Sequence, residues 1–231
     1  MTNLETFVAP PQGQDRARLF AHRSASILVL ADGAGGLPGG HAASDALVEA
    51  VSTAIAGECD AWDVRGWLRL FQETDQALFR VRCGETTGIV AVFDGDAVFG
   101  VSTGDSELWV VGAAAVDAVT RGQGTARLGS GRVAPRHFHR VLAEGDTVVC
   151  GSDGLFKHVA ASVIASATRS DSVGAAAAAL GAEASRSPDD AVFAVLRRFQ
   201  EHKKIEPGGT GGVGSPGSTL RRRGGFNAAV I

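Results

Sequence analysis

Unbroken apolar runs recur along the chain. They include Ile27-Leu28-Val29-Leu30-Ala31, Ile89-Val90-Ala91-Val92-Phe93 and Ala191-Val192-Phe193-Ala194-Val195-Leu196. Runs this short, rich in β-branched residues and bounded by turn residues, predict buried strands. Strands are expected at 16–21 and 26–31, around the turn His22-Arg23-Ser24. Others are expected at 86–93, 97–102, 107–111, 115–120, 147–152 and 190–197. Asp94-Gly95 marks a hairpin between the third and fourth. Helical spacing appears at 41–56, where Ala43, Leu47, Ala50, Val51 and Ala54 share a face. It recurs at 62–82 through Val64, Trp67, Leu68, Phe71, Leu78 and Phe79, with Asp60 as the expected N-cap. This aromatic stripe reads as core. Two more helices are expected at 155–168 and 171–184. Strands outnumber helices, and short turns join neighbouring strands. That pattern predicts an α+β fold with antiparallel sheets and helices packed outside them.

The pattern stops near residue 200. Pro207 to Ser218 holds six glycines in twelve residues, so 1–200 reads as one domain and 201–231 as a flexible linker and tail. The tail carries Arg221-Arg222-Arg223 and ends on Phe226 and Ile231. A linker of this kind reaches roughly 20 Å, enough to return the arginines to an acidic site on the same domain.

A formal charge of −3 gives no basic field for nucleic acid. No run approaches the roughly 20 apolar residues of a membrane span, and no leader-like segment begins the chain. Cys59, Cys83 and Cys150 lack metal-ligand spacing, and Cys150 lies within an apolar strand. A reducing, cytoplasmic setting is expected.

Chemistry enters through the aspartates. Asp32 and Asp153 each close an apolar strand, precede a glycine and open onto a loop or helix. Asp189 stands at the start of the last strand. Carboxylates at strand ends cost free energy unless they are paired or hold a cation. Hard divalent ions take carboxylate and carbonyl oxygens, and a glycine lets its backbone carbonyl approach. Two such ions about 3.5–4 Å apart activate water and clamp a phosphoryl group. Other chemistries lack support. His137 and His139 are expected at the surface rather than on zinc, and Gly33-Ala34-Gly35-Gly36 lacks the Lys-Ser/Thr of a P-loop. Ser24, Ser44, Ser106 and Ser152 have no evident His partner for a triad.

Several segments, in order, resemble motifs of the metal-dependent Ser/Thr protein phosphatases, the PPM or phosphatase 2C family, in its bacterial form. They are Gln14-Asp15, Ala31-Asp32-Gly33-Ala34-Gly35-Gly36 with Gly40-His41-Ala42-Ala43-Ser44, Glu85-Thr86-Thr87-Gly88, Gly104-Asp105-Ser106, Gly151-Ser152-Asp153-Gly154-Leu155 and Asp189-Asp190-Ala191. The resemblance implies a four-layer αββα sandwich, two antiparallel sheets flanked by helix pairs, with two Mn²⁺ or Mg²⁺ ions at one end. Asp32 would bridge both ions and Gly33 would offer its carbonyl. Asp153 and Asp189 would hold the second ion, and Asp15 would act through water. Asp105, with Asp153, matches a third, weaker site. The implied nucleophile is a hydroxide bridging the ions, and the implied substrate is phosphoserine or phosphothreonine on a partner protein, such as a cognate kinase or its substrate. A monomer is expected.

The chain also departs from that pattern. Pro10 stands where the family's phosphate-holding arginine is expected. Arg16 and Arg18 face away from Asp15 on a regular strand. Gln14 replaces an acid, Ala34 the general-acid histidine of eukaryotic members, Glu107 an arginine and Val192 a threonine. Only 48 positions separate Asp105 from Asp153, which implies a reduced flap. Two alternatives stand beside the protein phosphatase: a pseudophosphatase that binds or senses, and a phosphatase of small phosphoesters.

Overall fold

The computed structural model describes residues 4–34, 39–122 and 126–199. The tail at 201–231 and part of the glycine-rich loop lie outside these. Two antiparallel five-stranded sheets make the domain. The first is ordered β1 (Leu4–Val8), β10 (Phe193–Arg198), β9 (Thr147–Gly151), β6 (Glu107–Val111) and β7 (Val116–Ala118). The second is ordered β2 (Asp15–His22), β3 (Ala25–Asp32), β4 (Gly88–Asp94), β5 (Ala97–Thr103) and β8 (Arg136–Val141). Helices α1 (Gly40–Ala56) and α2 (Val64–Val81) pack on the second sheet. Helices α3 (Asp153–His158), α4 (Ala161–Ala167) and α5 (Val173–Ala184) belong to the first.

Burial on both faces explains the unbroken apolar runs. In β3, Leu28 and Leu30 face the opposing sheet, while Ile27, Val29 and Ala31 pack under α1 and α2. Strand β4 divides the same way, with Ile89, Ala91 and Phe93 on one side and Val90 and Val92 on the other. The α+β class and the layered antiparallel sheets agree with the sequence expectation.

Several boundaries differ. The helix expected over 155–168 is two, because the chain extends at Val159 and Ala160. The N-cap position of α2 is Asp63, not Asp60; the Asp60 carboxylate instead accepts the Trp62 amide at 3.0 Å. Phe79 leaves the apolar stripe and is exposed, while Trp67, Phe71 and Leu78 are buried. Strands β1 and β8 are additions. Both are sheet-edge or near-edge elements, and in β8 only Phe138 is buried, so the run Arg-His-Phe-His-Arg gives no apolar signal. His137 and His139 are exposed on β8, as expected. Among the described residues between β7 and β8 there is no helix or strand, only a bridge from Leu128 to Thr86.

The chain changes sheet four times, at Ala9–Gln14, at Gly104–Ser106, between β7 and β8, and between β8 and β9. The ladder registers align Asp15 with Asp32, Gly88 with Thr103, and Gly151 with both Glu107 and Phe193. The first two crossings and these strand ends therefore meet at one end of the sandwich, whereas the β8–β9 crossing lies by Arg198 at the other.

Candidate active site

Asp15 and Asp32 face each other as direct partners on the β2–β3 ladder. Like charges so placed repel. The backbone around Asp32 is pinned: its carbonyl accepts from the Thr87 amide at 2.9 Å and the Thr86 hydroxyl at 3.0 Å. Its own amide donates to Thr87 Oγ1 at 3.1 Å, and that hydroxyl pairs with Ser106 Oγ at 2.6 Å. The Thr-Thr and Asp-Ser motifs thus serve to hold Asp32. Ser44 of α1 donates to the Gln14 carbonyl at 2.6 Å and so fixes the approach to Asp15. A side chain on Gly33 would strike the Gly40 carbonyl, since its Cβ would lie 2.5 Å from that oxygen; only glycine lets the loop start fold back on α1.

Asp153 is the first residue of α3, and Gly154 follows. A Cβ on Gly154 would lie 2.0 Å from the Asp190 carbonyl oxygen. This close approach brings α3 against the segment carrying Asp189 and Asp190. Ser152 strengthens the join, exchanging hydrogen bonds with the backbone of Val192.

Asp15, Asp32, Gly33, Asp153, Asp189 and Asp190 line one cavity of about 440 Å³, together with Gln14, Ala34, Arg127, Lys157 and Pro188. Of the sequence-derived ligands, Asp105 is the exception: it does not line this cavity but pairs with Arg127, which does, at 3.5 Å. Arg127 and Lys157 were not singled out by sequence, and Asp190 appeared there only within the Asp189-Asp190-Ala191 motif, without a role. Asp190 adjoins Asp189, and Lys157 follows Asp153 at the i,i+4 spacing of a helical ion pair, so both had a signal; Arg127 had none.

Burial pushes the Asp32 carboxyl up to about 8, with the charges of Asp15 and Asp153 adding to it. Burial likewise raises Asp15 to about 6, against a hydrogen bond from Ser152 that favours its ionised form. Among the described residues, two polar oxygens are buried without a hydrogen-bond partner, Gln14 Oε1 and Asp105 Oδ1. Such atoms carry a desolvation cost that a cation would remove. The donor set is hard oxygen throughout, which suits Mn²⁺ or Mg²⁺. Among the described residues no three such donors are gathered about one point as they stand. Two are engaged elsewhere: Asp153 pairs with the Lys157 ammonium, and Asp189 with His158 Nε2 at 2.7 Å. The site is therefore a cavity of ionisable oxygens that a divalent cation fits, provided Lys157 and His158 release their carboxylates.

Glu107, at the place of an arginine, turns to Arg121 and Trp109. Pro10 lines a different, apolar cavity with Phe7, Ala177 and Phe193. Arg16 points from Asp15 to Asp45 and His41 of α1, as the strand geometry required.

Compared with solved structures, the chain has the fold of bacterial serine/threonine phosphatases. Serine/threonine phosphatase Stp1 from Staphylococcus aureus superposes with a TM-score of 0.75 at 19% identity, covering 87% of this chain and 96% of that one. The catalytic domain of the phosphatase PstP, solved with two manganese ions, gives 0.71 at 20% identity over 86% and 100% of the respective chains. A serine/threonine phosphatase from S. agalactiae gives 0.73 at 18% over 87% and 100%. No protein-family model and no curated protein matches the chain.

Proposed function

We propose that this chain is a metal-dependent phosphatase acting on phosphoserine or phosphothreonine in a partner protein. One observation carries the reading: Asp15, buried, and Asp32, half-buried, oppose each other on a ladder beside Asp153, so that ionising them all requires positive charge. The phosphatase fold around them supplies the context.

Asp32, the Gly33 carbonyl, Asp153 and Asp189 would hold two Mn²⁺ or Mg²⁺ ions, with Asp15 acting through water and Asp105 offering a third, weaker site. Bound there, the ions would supply an activated water for in-line attack on phosphorus. The chain's own part is to fix the carboxylates. Thr86 and Thr87 hold the Asp32 backbone, and Ser152 orients Asp15. No protein nucleophile is needed. The partner in this reading is a phosphorylated kinase or its substrate, met by a monomer in the cytoplasm. No helix among the described residues is long and apolar enough to cross a membrane.

The pairing of Asp153 with Lys157 and of Asp189 with His158 is what favours the second reading, a binding module on the same fold. Mn²⁺-dependent hydrolysis of p-nitrophenyl phosphate and of a phosphothreonine peptide decides between them, with Asp153→Asn as control. Turnover on both, lost in the variant, is expected. No metal-dependent turnover on either overturns the enzyme, and turnover on the small ester alone points to a small-molecule phosphatase.

A further inference from the structure

A phosphate monoester reaches this cavity as a dianion. Five carboxylates line it, Asp15, Asp32, Asp153, Asp189 and Asp190. Two divalent cations would offset four of those charges and leave the wall still negative. A grip on phosphate therefore needs further positive groups. Pro10 lies in another cavity. Among the described residues, Arg127 and Lys157 are the basic ones lining the acidic cavity.

Their placement suits the task. Lys157 sits one turn after Asp153 on α3, with a side chain 56% exposed and its ammonium on the Asp153 carboxylate. An aliphatic stem of this length lets the ammonium swing from that carboxylate into the cavity without moving the helix. Arg127 is held on a firm base. Leu128 beside it is fully buried and bridges Thr86. The next turn is tied to the buried Asp75 carboxylate, which accepts from the amides of Gly129 at 2.8 Å and Gly131 at 2.9 Å. The Arg127–Asp105 contact, 3.5 Å, is long for a charge-assisted hydrogen bond, so the guanidinium retains donors for an anion.

Resting on the phosphatase reading, we propose that Lys157, with Arg127, holds the phosphoryl oxygens of the substrate, and that Lys157 is released for this when a divalent cation takes Asp153. One side chain then has two exclusive partners, a protein carboxylate before the cation binds and a substrate phosphate after. Because Lys157 competes with the cation for Asp153, its removal affects the two ligands in opposite directions.

Calorimetry on the full chain tests this, titrating Mn²⁺ first and then inorganic phosphate into the Mn²⁺-saturated protein. Lys157→Met is expected to tighten Mn²⁺ binding by up to about fivefold, the scale of an ion pair this exposed. The same variant should weaken phosphate binding by about tenfold, a charge-assisted contact. Lys157→Arg should recover phosphate affinity. Arg127→Gln should weaken phosphate by several-fold, and in both weakened variants KM for a phosphothreonine peptide should rise more than kcat falls. Phosphate affinity unchanged in both Lys157→Met and Arg127→Gln overturns the proposal. So does a Lys157→Met protein that loses Mn²⁺ and phosphate together, because a structural role would move both the same way. Neither result depends on turnover, so failure of the enzyme reading, phosphate binding without hydrolysis, is separately visible.

Discussion

Removing the charge of Asp32 should stabilise the cation-free domain at neutral pH. The carboxyl is raised from 3.8 to about 8, chiefly by burial and then by the charges of Asp15 and Asp153. In the unfolded chain it ionises in the ordinary carboxylate range. Between pH 5 and 7 the folded state therefore keeps a proton that the unfolded state has lost. Linkage makes stability fall by about 1.4 kcal/mol per pH unit for each such proton, or about 2.7 kcal/mol over this window. The direction is opposite to that of a salt-bridged carboxylate: stability is highest on the acid side and declines as pH climbs toward the folded-state value. Asp15, raised to about 6, steepens the decline in the lower half of the window. For a domain of this size, about 2–4 °C per kcal/mol translates the Asp32 share into a fall of roughly 5–10 °C in Tm. Thermal unfolding of the EDTA-treated chain at pH 5, 6 and 7 measures it, with Asp32→Asn as the reference. Wild type should lose that much more than the variant, and Mn²⁺ at pH 7 should recover the wild-type loss. Identical pH slopes for wild type and Asp32→Asn in EDTA would refute the reasoning.

Two further outcomes follow from the local packing. Gly154→Ala places a Cβ 2.0 Å from the Asp190 carbonyl oxygen, so α3 must shift from the Asp189 segment; a loss of about 1–3 kcal/mol in urea unfolding is expected, with weaker Mn²⁺ binding by calorimetry. Asp75→Ala leaves the Gly129 and Gly131 amides without their acceptor, costing about 1–3 kcal/mol; hydrogen exchange should show faster exchange at both amides while β3 and β4 stay protected.

The sheets were legible because both faces of β3, β4, β9 and β10 are covered, which turns burial into continuous apolar runs. The carboxylates were legible for a related reason: an ionisable group at the end of such a run stands out. Elements whose burial rests on few residues left little trace. Strand β8 buries Phe138 alone and is otherwise polar, and β1 is only half-buried along its length. The break between α3 and α4 occurs in an apolar stretch without proline or glycine, where the extended backbone at Val159 and Ala160 outweighs local periodicity. At the site, Asp190 is set by the Gly154 contact, and Arg127 by the turn after it, whose Gly129 and Gly131 amides donate to Asp75, more than fifty positions earlier in the chain. Such placements depend on packing between distant segments, which no local pattern encodes.

Asp15 and Asp32 come from one sheet, whereas Asp153 and Asp189 flank strands of the other. The proposed ligand set would thus exist only after the two sheets have docked. A nascent chain with one sheet formed cannot assemble it, so a divalent ion would not template folding. It would act as a latch on the finished sandwich, slowing unfolding far more than it speeds folding. Cation supply would then govern how long the protein survives once folded, rather than how readily it folds.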